Sequence, residues 1–188
     1  ASARFSFKEI KMGYYTSFTG EFEFDKPLTP EHLAYINRFA ESRRMKRDAE
    51  RAEKLEDPLR VAVGLPLGAD AEFYVGSAEI DKKLNAICGQ GADKAIVDYN
   101  RPSATQPSLW CPWDTCEDGS ALLIEDEGKH YEYELWLTYL IENFFTPWGY
   151  KLSGTVYWYG EDSDDLGLIE IAEEDNSFVV RTGKIVYK

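Results

Sequence analysis

Two groups of carboxylates in the C-terminal half are the side chains whose type and spacing are most typical of a functional site. They comprise Glu161, Asp162, Asp164 and Asp165 in the first group, and Glu173, Glu174 and Asp175 in the second. A calcium-binding EF-hand loop alternates its acids and adds a distant bidentate glutamate, whereas these acids are bunched. The first group therefore predicts a solvated hairpin turn, with a weak cation site or contact with a basic partner as alternatives.

Cysteine and histidine give little support for a metal centre. Cys111 and Cys116 form a C-x4-C pair, but structural zinc usually needs four Cys or His ligands in close pairs. The other candidates, Cys88, His32 and His130, are isolated in the sequence. Three cysteines are an odd number, so we expect thiols, with a redox pair as the alternative, and no metal or cofactor.

Recognisable catalytic signatures are missing from the sequence. The run Cys88–Gly91 lacks the third glycine of a dinucleotide fingerprint, and neither a Walker motif nor a Gly-x-Ser-x-Gly elbow occurs. His32 and His130, the two possible imidazole bases, fit helix-terminal surface positions. The sequence therefore favours a protein that is not an enzyme.

A basic cluster lies on the C-terminal part of the first predicted helix. Arg44, Arg47, Arg51 and Lys54 recur at steps of three and four residues, which places them on one side of a helix that continues to about Leu55. Such a face is either solvated or paired within the molecule, or it docks a phosphate or an acidic partner.

Aromatic residues are abundant, at 14% of the chain. In a strand over 155–159, Tyr157 and Tyr159 point away from Val156 and Trp158. An antiparallel sheet is often covered on one face only, so these tyrosines are predicted to be exposed together, with Trp113 as a further surface aromatic. Core filling with an ordinary amphipathic surface is one interpretation, and an interface or ligand pocket is the other.

Charge is unevenly distributed along the chain. Residues 1–113 contain 16 Lys/Arg and 17 Asp/Glu, whereas residues 114–175 contain 2 and 17. Nucleic acids and anionic membranes are bound through Lys and Arg, so the acidic stretch predicts no direct contact with either. A partner that meets this stretch electrostatically should be basic. Since no apolar run or leader pattern suggests a membrane segment, we expect a cytoplasmic protein.

The elements that must position these residues indicate an α+β fold. Alternating Phe22 and Phe24 predict a strand, and Thr29-Pro30 predicts a helix start, with Thr29 as N-cap. Strands near 109–116 and 121–125 precede a helix over about 131–145, which ends at Pro147 and Gly149. Strands at about 152–159, 166–172 and 177–181, with another at 184–187, complete an antiparallel meander packed by two helices as a two-layer sandwich.

The chain is predicted to form a single domain over residues 1–188. Residues 58–108 are irregular, with a short strand at Phe73–Val75 and a short helix at Lys82–Ile87, and read either as an ordered insertion or as long loops. No linker or repeat divides the chain.

Two stretches carry a resemblance: MGYYTSFTG at Met12–Gly20 and WLTYLIENFFTPWGYKLSGTVYWYGEDSDDLG at Trp136–Gly167. They are similar to an uncharacterised family of small proteins encoded by phages, prophages and some bacterial genomes. The resemblance implies a context in which small acidic proteins bind host machinery, including defence complexes such as CRISPR effectors.

Three classes of function are compatible with these residues and their distribution. The first is an acidic DNA mimic that inhibits a host protein by occupying its basic, nucleic-acid-binding surface. The second is a small-molecule or nucleotide-binding protein with an aromatic pocket near Trp110, Trp113 and Trp158, and the third is a structural protein. The oligomeric state stays open.

Overall fold

The computed structural model describes residues 14–76, 93–124, 130–172 and 175–183, and the backbone of 127–128. It has the predicted α+β architecture, an antiparallel sheet with helices packed on it. The strands are β1 (Thr16–Phe24), β2 (Lys46–Arg47), β3 (Ile96–Asp98), β4 (Trp113–Thr115), β5 (Ala121–Ile124), β6 (Glu127–Gly128), β7 (Leu152–Gly160), β8 (Leu166–Ile171) and β9 (Phe178–Thr182). The helices are α1 (Pro30–Ala40), α2 (Ala49–Ala52), α3 (Pro58–Ala62) and α4 (Tyr133–Leu140).

The main sheet has the order β4-β5-β1-β7-β8-β9, and β6 adds to β1. Its centre is the pairing of β1 with β7, which runs from Thr16 opposite Gly160 to Phe24 opposite Leu152. Gly20 and Gly154 have φ values of 109° and 135°, and a Cβ on either would collide with a carbonyl oxygen of the other strand. Glycine is therefore required at both positions.

Strand alternation and helix periodicity bring the aromatic core together. Phe22 and Phe24 are buried while Glu21 and Glu23 are exposed. Phe22 packs on Trp113, and Phe39 of α1 packs edge-to-face on Trp136 of α4. The two helices therefore share one hydrophobic layer over one face of the sheet.

The two main helices begin and end for local reasons. Thr29 caps α1, since its hydroxyl accepts from the His32 amide at 3.3 Å. After Leu140, α4 widens into a π-helical turn over Ile141–Phe145, in which the Thr146 amide donates to the Ile141 carbonyl at 2.9 Å. Phe144 and Phe145, which both lie in this turn, are fully buried.

The prediction that the first helix continues to about Leu55 is wrong. Helix α1 ends at Ala40, and the following backbone bonds to distant segments, with the Arg44 amide donating to Leu109 and the Lys46 amide to Arg101. These long-range bonds replace the intrahelical ones, so helical spacing over 44–54 does not define a helix face.

Two predictions for the irregular middle region have different outcomes. Phe73–Val75 is not a strand, because the Val75 and Gly76 amides donate to the Asp57 carboxylate rather than to a neighbouring strand. The predicted helix at Lys82–Ile87 lies outside the described residues. The same holds for the strand predicted near the C-terminus at 184–187. Ala71, Tyr74 and Ala95 of this region form a small second hydrophobic cluster with Ala52 of α2.

Candidate functional site

Among the described residues, the side of the sheet opposite the helices is exposed, and we call it the open face. It consists of the outward side chains of β1, β7, β8 and β9. Tyr157 and Tyr159 are 44% and 52% exposed, as their alternation predicts. Leu168 lies opposite Tyr157 and Leu166 lies opposite Tyr159, so the centre of this face is aromatic and apolar.

Carboxylates border this centre. Glu21 and Glu170 flank Thr155 in one cross-strand row, and Glu23 lies two residues further along β1. Arg181 also lies on this face, and its guanidinium binds Glu170 at 3.2 Å, with both side chains about half exposed or more. Within the described strands, the face thus combines an apolar centre with a predominantly acidic margin.

The loop Glu161–Asp165, which we call the acidic loop, continues this margin at the end of β7. Asp165 accepts hydrogen bonds from the Tyr14 hydroxyl at 2.6 Å and from the Trp158 indole at 3.3 Å. A Cβ on Gly160 would collide with the Tyr14 hydroxyl and the Asp165 carboxylate. The bond to Asp165 raises the pKa of Tyr14. Tyr14 and Trp158 therefore hold the loop in one conformation.

The acids of this loop have two different roles. Glu161 and Asp165 are used inside the molecule, since Glu161 accepts from the Tyr15 amide at 3.0 Å. Asp162 and Asp164 are exposed, and no hydrogen bond or ion pair of their carboxylates with another described residue is present. All four acids are exposed, and Asp162 and Asp164 are the two whose carboxylates have no such partner among the described residues.

Asp175, the described member of the second acidic group, does not join the first group. Consecutive antiparallel hairpins alternate between the two ends of a sheet, so Asp175 is separated from the acidic loop by the six residues of β8, or about 20 Å. Hydrogen bonds from Ser177 are the main cause of the lowered pKa of Asp175, and the nearby charge of Lys151 contributes. Glu173 and Glu174 lie outside the described residues.

Arg44 and Arg47 are not surface residues. Both are 1% exposed. Arg44 stacks over the Phe39 ring at 4.2 Å and donates to the carbonyl of Glu72 at 3.1 Å. Burial lowers its pKa to about 10, which keeps it cationic at neutral pH. A fully buried guanidinium has no surface left for an external partner.

Arg47 is held in the same way. It bonds Asp93 at 3.1 Å and stacks over Tyr74 at 4.8 Å. Arg51 and Lys54 are exposed and border a small groove together with Leu55 and Lys94. The predicted four-residue basic patch is therefore reduced to two residues.

Trp113 is also not a surface aromatic. It is completely buried because it occupies an inward position of β4, and its indole donates to the Tyr133 carbonyl at 2.8 Å. The exposed tryptophan of this region is Trp110, at 44%.

Trp110 borders a pocket that the sequence pattern indicated only through its tryptophans. The pocket has a volume of about 540 Å³ and lies between the C-terminal end of α1, residues 108–114 and residues 130–131. Its lining includes Glu41, Cys111, Asp114, His130 and Tyr131. Burial raises the pKa of Cys111 to about 12, so this residue is a neutral thiol rather than a ready nucleophile.

No protein-family model, curated protein or solved structure matches this chain. The function is therefore argued from the geometry of the structure. In the described part of the chain, no three His, Cys, Asp or Glu side chains are placed to hold a metal ion. None of the helices among the described residues is long and apolar enough to cross a bilayer.

Proposed function

We propose that this chain is a binding protein that uses its open face and acidic loop to cover a basic, nucleic-acid-binding surface of another protein. The observation that carries the proposal is the apolar centre of Tyr157, Tyr159, Leu166 and Leu168 with carboxylates on its margin. Protein interfaces combine such a centre with a polar rim, and tyrosine is enriched in them.

The charge of the margin selects the kind of partner. Glu21, Asp162 and Asp164 are exposed carboxylates, which attract Lys and Arg and repel the phosphates of nucleic acids. A protein surface that binds nucleic acid has the complementary charge, so the chain would compete with nucleic acid for it. The resemblance to phage-encoded proteins supports a host defence complex as this partner.

The tyrosines and the carboxylates of the open face would contribute to affinity in two different ways. Tyr157 and Tyr159 would supply buried contact area and slow dissociation, whereas the exposed carboxylates would steer association and make it dependent on salt. Because Tyr14 and Trp158 already hold the acidic loop in place, little conformational entropy would be lost on binding.

The test is capture of a host protein by the immobilised chain, followed by measurement of that protein's binding to DNA with and without the chain. We expect the chain to displace DNA. The double variant Asp162→Asn/Asp164→Asn should weaken the complex about tenfold, and Tyr157→Ala/Tyr159→Ala should weaken it further.

The matched control is Glu50→Gln/Glu53→Gln, which neutralises two exposed carboxylates in and beside α2, away from the open face. It should leave affinity unchanged. Equal losses from both charge variants, or a captured protein whose DNA binding is unaffected by the chain, would contradict the proposal.

A further inference from the structure

The pocket beside Trp110 has a chemistry of its own, distinct from the open face. We infer that it binds a small organic cation, a primary amine or guanidine with a flat apolar body. The inference is independent of the proposed function, because it concerns the helical side of the molecule and a different set of residues.

The size of the pocket suits a small molecule. Its volume of about 540 Å³ falls within the range of ligand-binding clefts, roughly 300–1,000 Å³. Ala40, Leu109 and Pro112 line it with apolar surface, which suits an aliphatic or aromatic body.

The rim of the pocket is fixed before any ligand arrives. The Ser108 hydroxyl accepts from the Trp136 indole at 2.8 Å and donates to the Trp110 carbonyl at 3.1 Å. The Leu109 carbonyl accepts from the Arg44 amide at 2.8 Å, and the Cys111 thiol donates to the Trp113 carbonyl at 3.5 Å. A preformed rim reduces the entropy lost on binding.

Aromatic rings at the rim favour a positive charge. Trp110 and Tyr131 are 44% and 57% exposed, although both line the pocket. Exposed aromatic faces attract ammonium and guanidinium groups, and tryptophan does so most strongly.

The charges around the pocket point in the same direction. Glu41 and Asp114 are carboxylates in its lining, and Asp114 also accepts from the Thr115 amide at 2.7 Å. Among the described residues, the lining includes the His130 imidazole but no Lys or Arg. Glu41 is also the C-cap of the 11-residue helix α1, where the helix dipole favours cations. The guanidinium of Arg44 is buried against the Phe39 ring, donates from Nη2 to the carbonyls of Glu72 and Tyr74, and does not line the pocket. This distribution disfavours nucleotides and other phosphates.

Three probes of the same ring size separate charge from hydrophobicity: phenethylamine, which is cationic, 2-phenylethanol, which is neutral, and phenylacetate, which is anionic. Titration calorimetry with the full chain at low salt should rank them in that order. We expect phenethylamine to bind about fivefold or more tightly than 2-phenylethanol.

Substitutions in the pocket and on the open face test whether phenethylamine binds beside Trp110. Trp110→Ala should abolish phenethylamine binding, and Glu41→Gln should weaken it about threefold, whereas Glu23→Gln and Tyr159→Ala on the open face should not change it. Trp110→Phe keeps an aromatic ring and should retain part of the affinity, which distinguishes loss of a ring from loss of the fold. Binding that prefers phenylacetate, equal binding of all three probes, no binding of phenethylamine at about 10 mM, or unchanged binding in Trp110→Ala would overturn the inference.

Discussion

The basic segment 44–54 and the acidic loop 161–165 are both rich in charge in the sequence but lie in opposite environments. Arg44 and Arg47 are buried beneath aromatic rings, whereas Asp162 and Asp164 are exposed. Arginine can be buried because its planar group stacks on a ring while its donors reach carbonyl oxygens. Charge density alone therefore does not identify a binding surface, because the neighbours of each charge decide whether it is accessible.

The largest expected effect comes from Arg44. Arg44→Ala should lower the free energy of unfolding by roughly 3 kcal/mol, because two carbonyl groups lose a charged donor and the Phe39 ring loses its packing partner. Urea unfolding measures the loss. Arg51→Ala, an exposed arginine of the same segment, should change stability by less than about 0.5 kcal/mol; equal losses in the two variants would remove the contrast between buried and exposed charge.

Asp57 extends the contrast between buried and exposed charges to a carboxylate, because it is buried as Arg44 and Arg47 are. The residue is 5% exposed, and its carboxylate accepts from Arg60 at 2.6 Å and from the Gly76 amide at 3.0 Å. Asp57→Ala should cost about 2 kcal/mol of stability, since buried donors lose their acceptor. Asp162→Ala should be nearly neutral under the same denaturant titration, and a loss there comparable to that of Asp57→Ala would contradict this interpretation.

Removal of the hydrogen bonds between Tyr14 and the acidic loop should have a smaller effect on stability. Tyr14→Phe removes the hydrogen bond that the hydroxyl donates to Asp165 and the one that it accepts from the Asp162 amide at 3.2 Å. Because both bonds are exposed, the free energy of unfolding should fall only slightly. Amide exchange should increase in residues 161–165 and stay unchanged in β8. Unaltered exchange in the loop would contradict this role of Tyr14, since the bonds of Trp158 and of the Tyr15 amide would then be sufficient to hold the loop.

Substitution of His32 should have the smallest effect on the free energy of unfolding. The fold disfavours the charged form of this imidazole. Its ring stacks on Trp148 at 4.0 Å, and desolvation lowers its pKa below 6.5. The unfolded chain therefore binds a proton more readily at this site, so the contribution of His32 to stability is complete above pH 6.5 and declines as the pH falls towards the folded-state pKa.

The measurement is the difference in unfolding free energy between the wild-type protein and His32→Gln at pH 7.5 and at pH 5. Wild type should lose more stability than the variant on acidification. A difference that is independent of pH, or that grows in favour of wild type at low pH, would contradict the assignment.

Much of the fold could be predicted because its signals are local. The alternation of Phe22 and Phe24, the Thr29-Pro30 helix start and the meander β7-β8-β9 depend on neighbouring residues and hold in the structure. The exposure of Tyr157 and Tyr159 follows from the same alternation. The predicted extent of the first helix is wrong because long-range backbone bonds, which no local pattern encodes, replace the helical ones after Ala40.

The sequence by itself determined the acidity of residues 114–175, the alternation that exposes the two tyrosines and the N-cap of the first helix. The tertiary structure decided the rest: it buried Arg44 and Arg47, placed Asp175 at the opposite end of the sheet from the acidic loop, and turned Trp113 inward while leaving Trp110 at a pocket. The physical reason is that charge and periodicity are properties of neighbouring residues, whereas burial and proximity depend on contacts between separate segments, such as the bond of the Arg44 amide to the Leu109 carbonyl and the pairing of β1 with β7.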